Sequence, residues 1–452
     1  MQEKNEKSII GSIGERFFYS LKGTVLTSFL IKFLIFLLGV VIIGFATTRT
    51  SLPVCGSSSG VLPPVYSAPY GDLEGYTDYR DLYLRCLVSP FLNGRSAYNL
   101  PIVYNYPPLF LYTLSLFAKL SNLIWSPALP IVAFDALTAI PVYLIAKEFL
   151  FKNSGDRASK LAFAVTLAFI ANPINLFYND LMWLNPGPST FFLVLAVYLL
   201  LRGRLFESLL SLAVSTGFKQ TSILALPIFI VAAWKSKGGI SKSLICSILA
   251  YFGVLVVVSL PYLYQNPQQY FWSLQLPILG SPKNTGPLYP TTFVYNLSQP
   301  VRLTTFLGLI KVVNLQGFAG ASYPVLNYVF IAFYVALVLY FAFIMKSKPS
   351  ANQFLVFLLG TFLLFDALFG RGIYKYYFAG ITPLALPFFK TKRNAVIFGV
   401  FSVVLILIPR IVDPWMAVLL FTFLPSLALE EEDYSERLPS TNSNDSTPTL
   451  SG

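Results

Sequence analysis

Apolar runs long enough to cross a bilayer, separated by short basic loops, follow one another from residue 29 to about residue 429. This alternation constrains the chain more than any motif in it. The first run, 29–46, has Lys32 inside it, and later runs repeat the pattern. Over the whole chain 55% of residues are hydrophobic and 12% charged, with mean hydropathy +0.66. Soluble domains carry about twice that share of charge. A chain this apolar could not cover a water-facing surface, so most of it must face lipid. The expected fold class is therefore all-α, a polytopic membrane protein of about 12 transmembrane helices.

Several chemistries are excluded at once. With no histidine there is no His-based zinc site, no Ser-His-Asp or Cys-His nucleophile and no c-type haem. The G-x-x-x-x-G-K-[ST] phosphate loop is missing too. Cys55, Cys86 and Cys246 are too few for a disulfide scaffold, although an outward Cys55–Cys86 pair could form one bridge.

Basic clusters set the topology. They lie at 4–22, at Lys147, Lys152, Arg157 and Lys160, at Arg202 and Arg204, at Lys235, Lys237 and Lys242, at Lys346 and Lys348, and at Lys390, Lys392 and Arg393. If each is cytoplasmic, pairs of spans must separate them. The pairs 159–177 with 188–201, 205–217 with 221–234, 352–369 with 376–389, and 394–412 with 414–428 satisfy this. One segment is left over, and 107–125, interrupted by Lys119, is read as a helix on the outer membrane surface. The domain plan is a cytoplasmic segment 1–28, a transmembrane domain 29–429 with outer loops 47–127 and 265–324, and a disordered cytoplasmic tail 430–452.

Function is then sought among polar residues on the outer side. The first outer loop holds Asp72, Glu74, Asp78 and Asp81 beside Arg80, four carboxylates within ten positions. It continues through Tyr104-Asn105-Tyr106-Pro107-Pro108-Leu109, where paired prolines make a sound helix start because the first turn needs no donor. Farther on, Gly217-Phe218-Lys219-Gln220-Thr221 sets a lysine and an amide at the outer end of a short helix. Asp366 and then Gly370-Arg371-Gly372-Ile373-Tyr374-Lys375 end a later span, with two cations on the side where cations are otherwise scarce. Asp135 and Asp180 are the remaining outward acids.

In order and topology these features resemble the GT-C superfamily, the multi-span glycosyltransferases that use polyprenyl-phosphate sugars. The resemblance is greatest to the dolichyl-phosphate-glucose-dependent glucosyltransferases that extend a lipid-linked oligosaccharide. It rests on Gly71-Asp72-Leu73-Glu74, on Tyr106-Pro107-Pro108-Leu109 with Tyr112, on Phe218-Lys219-Gln220, and on Leu368-Phe369-Gly370 leading to Tyr374-Lys375. The chain departs from the family at two places. A D-x-G-H-F-Q-Y-N stretch is replaced by Tyr178-Asn179-Asp180-Leu181-Met182-Trp183-Leu184-Asn185, and H-E-K-S by Tyr374-Lys375-Tyr376-Tyr377.

The resemblance implies transfer of a hexose from a polyprenyl (dolichyl) phosphate donor to a lipid-linked or envelope glycan, with inversion. Asp72 would be the base that takes the proton of the acceptor hydroxyl. Lys219, Arg371 or Lys375 would stabilise the charge developing on the leaving phosphate. Glu74, Asp78, Tyr106 and Gln220 would complete substrate binding. No cofactor is implied; the acids of the first loop would accommodate a divalent cation without requiring one. The expected partners are the donor, the glycan acceptor and membrane lipid, with no nucleic acid, and the expected location is the plasma membrane with the site on its outer face. The competing reading is a secondary transporter or flippase of a lipid or sugar, which calls for ionisable groups at the membrane midplane and broken helices.

Overall fold

The computed structural model describes residues 17–47, 79, 88–94, 106–121, 123, 125–184, 186–265, 267, 270–271, 274, 316–343, 349–368 and 376–407. All regular structure among them is helical. The first helix, α1, is Leu21–Thr47. The others used below are α2 (Pro108–Leu120), α3 (Leu129–Leu137), α4 (Ala139–Ile145), α5 (Ala158–Ile170), α6 (Pro186–Leu201), α7 (Leu205–Phe218), α8 (Leu226–Lys237), α9 (Lys242–Gln265), α10 (Gln316–Phe343), α11 (Ala351–Leu368) and α12 (Lys392–Leu407).

Among the described residues three helices are long and apolar enough to cross a membrane: Leu21–Val41, Ser126–Leu150 and Lys242–Gln265. Lys152–Ile170 and Pro173–Leu181, bent by 44° at their junction, would count together as a fourth. The bend has a local cause: Pro173 cannot continue the ladder of α5, and Asn172 caps the new turn by accepting from Ile174 N–H. Leu26, Leu30, Phe33, Leu34 and Leu37 of α1, and Leu249, Phe252, Val256 and Val257 of α9, stand exposed. Stripes of that size are untenable against water and suited to hydrocarbon.

Punctuation of the helices follows their sequence. Pro108, Pro127, Pro130, Pro227 and Pro383 all stand in the first turn of a helix, where a missing donor costs nothing. Gly238 closes α8 in the left-handed conformation, at φ 69°.

The interior is built on α6 and α7, which pack against each other along most of their lengths. Ser208, Ser211 and Ser215 share one face of α7, three and four residues apart. Their hydroxyls donate to the carbonyls of Ala196, Phe192 and Ser189 of α6 at 2.8, 2.8 and 2.7 Å. Small side chains let the two backbones approach, and the hydroxyls join them where no water competes. On its other side α6 crosses α3, and a Cβ at Gly187 would run into the Ile131 carbonyl. That crossing requires glycine.

Candidate functional site

Lys219 is held at a chain reversal. It caps α7 in an extended conformation, its N–H bonded to the Ser215 carbonyl at 2.9 Å, and a 3₁₀ turn, Gln220–Ala225, follows directly. The negative end of the α7 dipole lies beside it, which favours a cation there. The lysine is buried. Its Nζ lies 3.5 Å from the ring centroid of Tyr377 and 5.3 Å from that of Tyr376, so two aromatic faces flank the charge. Asp366, near the end of α11, is close enough to act on it electrostatically, and Asp366 Oδ2 is buried without a hydrogen-bond partner among the described residues.

Ser189, Thr190, Thr221, Ser222, Phe362 and Tyr377 line a small cavity with Lys219 and Asp366. Its volume is about 20 Å³, room for roughly one water molecule. Polar depth comes from Ser222 Oγ, 2.8 Å from Ser215 Oγ and 3.2 Å from Ser189 Oγ. Tyr106, at the start of α2, meets Tyr376 beside this site: its hydroxyl is 2.8 Å from that of Tyr376, across 270 positions of sequence. The arrangement is a buried cation with aromatic walls, hydroxyl groups beside it and the Asp366 carboxyl as its counter-charge, with space for one water-sized group.

A second polar assembly lies elsewhere in the interior. Lys32 of α1 is ion-paired with Asp135 of α3 and, at 3.1 Å, with Asp180 in the Leu176–Leu181 turn; all three are fully buried. Asn179 Nδ2 donates to the other oxygen of Asp135 at 2.7 Å, and the Phe169 ring lies 5.3 Å from Lys32 Nζ. Asp180, and Asp135 within a helix, are thus buried against a lysine of the first helix. An intramembrane cation is expensive without a counter-ion, and that was the sequence signal for the cluster.

Just after Asp180 the chain turns at Trp183, which has a positive φ of 56° and donates its indole N–H to the Asp180 carbonyl at 3.0 Å. Tyr79 meets the Trp183 ring edge to face at 5.0 Å and bonds the backbone of Ala128. Tyr79 is thus tied to the turn that follows Asp180.

Of the expected site residues, Tyr106 and Lys219 come together around Tyr376 and Tyr377. Gln220 is adjacent in the chain but does not line the cavity; its amide donates to the Leu274 carbonyl at 3.1 Å. Asp72, Glu74, Asp78, Arg371 and Lys375 lie outside the described residues, as do Cys55 and Cys86. Asp366 was noticed beside Arg371 as an acid ending a span, and the structure adds Lys219 as its neighbour. Tyr376 and Tyr377 were read only as a departure from a motif. Among the described residues no three His, Cys, Asp or Glu side chains gather to hold a metal ion.

No known protein-family model matches this chain. No curated protein matches it either.

Proposed function

We propose that the protein is a polytopic GT-C-type glycosyltransferase of about 12 spans, moving a hexose from a polyprenyl-phosphate donor to a lipid-linked or envelope glycan on the outer face of the plasma membrane. The observation that carries the reading is the convergence of distant motif residues. Lys219 from the α7–α8 reversal, Asp366 of α11 and Tyr377 after α11 line one cavity, and Tyr376, hydrogen-bonded to Tyr106 from the start of α2, lies 5.3 Å from Lys219 Nζ. The cavity lies at the C-terminal ends of α7 and α11, remote from Arg204 and Ser350 at their starts, hence on the outer side if the basic loops before these helices in the sequence are cytoplasmic.

In this mechanism the sugar already carries a good leaving group, so charge stabilisation matters more than acid catalysis. Lys219, with Arg371 or Lys375, receives the phosphate as its charge develops. Asp72 takes the proton of the acceptor hydroxyl, the carbon–oxygen bond to the phosphate breaks, and the new glycosidic bond forms on the opposite face of the sugar. Glu74 and Asp78 hold the acceptor. Membranes containing the wild-type protein, given a panel of labelled polyprenyl-phosphate sugars, should incorporate label from at least one. Asp72→Asn should lower that rate by about 10²–10⁴. Equal rates for the two proteins would remove Asp72 from the mechanism.

A secondary transporter is the second reading, and the Lys32–Asp135–Asp180 cluster beside the 44° bend is the feature that favours it. Counterflow of a labelled sugar lipid in proteoliposomes, unaffected by Asp72→Asn, would support it instead.

A further inference from the structure

The Lys32 cluster does not enter the transfer mechanism, and its charge count is unusual. Two carboxylates share one ammonium in a region sealed from solvent, each of the three residues being 0% exposed. If all three were ionised, the assembly would hold a net negative charge with no further cation to offset it among the described residues. Among those residues the charged side chains acting on Asp180 are Lys32 and Asp135.

Among the described residues the neighbouring elements supply no counter-charge. From α4 the facing ionisable group is Tyr143, whose hydroxyl donates to the Tyr19 carbonyl. From α5 it is Lys160, which lies over the Tyr19 ring. Phe169 contributes only a ring face, and α6, which packs on α3, has no charged residue. Tyr79 is turned to Trp183 and the Ala128 backbone. An uncompensated buried charge of this kind is normally removed by taking up a proton.

A second observation points the same way. Asp180 Oδ1 and Asn179 Oδ1 are buried acceptors without a hydrogen-bond partner among the described residues. Both sit around the Asp135 carboxyl, which Asn179 touches through its amide nitrogen. Asp135 Oδ2 and Asp180 Oδ2 meet on the same Lys32 Nζ, which brings the two carboxyls together. A proton is the smallest ligand that satisfies these acceptors and neutralises the cluster together.

We propose that Lys32, Asp135 and Asp180 form a buried binding site for one proton, shared between the two carboxyl groups. Binding is a simple uptake: a proton from water adds to one carboxylate, no other bond changes, and the cluster becomes one ammonium, one carboxylate and one carboxylic acid. This site is independent of the glycosyl-transfer reading.

The test uses the purified full chain in lipid nanodiscs. At neutral pH its infrared spectrum should contain a carboxylic-acid carbonyl band that shifts in D₂O and is absent from Asp180→Asn or Asp135→Asn. The folded state then holds a proton that the unfolded chain has released, so the unfolding temperature should fall as pH rises above neutral. Either single Asn variant should fold and lose that slope, because each leaves one carboxylate for Lys32. The double variant Asp135→Asn/Asp180→Asn strands Lys32 and should unfold at lower temperature, with recovery on adding Lys32→Met. The proposal is overturned if no such band is present, if both single variants keep the wild-type slope, or if either single variant fails to fold at neutral pH.

Discussion

At the scale of single residues, Lys219 and Tyr377 carry the strongest expectations. Lys219→Met keeps the length of the side chain and removes its charge, so the donor KM should rise while the helical content measured by circular dichroism stays as in wild type. Tyr377→Leu removes the nearer of two aromatic faces, an interaction worth about 2 kcal/mol when desolvated. It should weaken donor binding as well, whereas Tyr377→Phe, which keeps the ring face, should come close to wild type in the same titration. Lys219 was legible in the sequence because a lysine near lipid at the end of a short apolar helix is costly, and Gln220 beside it adds a second polar group. Its aromatic walls were not, since Tyr376 and Tyr377 lie more than 150 positions away and nothing local marks them as partners. Lys32 was visible as a charge within a span, but the acids that answer it come from two other segments, and only packing could choose them.

At the scale of elements, helix starts and stops were the readable part. Prolines in first turns and Gly238 at a helix end act locally, so the segments 205–217 and 221–234 anticipated α7 and α8 within a few residues. The first helix runs from Leu21, earlier than residue 29, because Lys22 and its polar neighbours do not interrupt the backbone ladder. What periodicity could not show was which helices touch. The serine face of α7 could equally have faced any neighbour; it joins α6 through three hydroxyls. Replacing Ser208, Ser211 and Ser215 together by alanine should cost about 0.6 kcal/mol per hydroxyl, seen as a modest drop in unfolding temperature in detergent. Gly187→Leu should cost more, about 1–3 kcal/mol, because the new side chain meets the Ile131 backbone rather than a movable group. A Gly187→Leu protein as stable as wild type would mean that α6 and α3 are not in close contact.

At the scale of the whole molecule, the alternation of apolar runs and basic loops yielded an all-helical chain, with three helices long and apolar enough to span among the described residues. The orientation proposed for it can be tested at Ser121, which ends α2. A cysteine placed there should react with an impermeant thiol reagent in intact cells, and protection until the membrane is opened would reverse the assignment of the first loop. Cys55, Cys86 and the exposed Cys246 should be replaced first, so that the signal has a single source. The account as a whole depends on the cavity around Lys219 receiving a phosphate. Equilibrium binding of an unglycosylated polyprenyl phosphate to the purified protein in nanodiscs measures this directly, with Lys219→Met beside it. The account predicts saturable binding that Lys219→Met weakens at least tenfold, about 1.4 kcal/mol; equal affinity for the two proteins would contradict it.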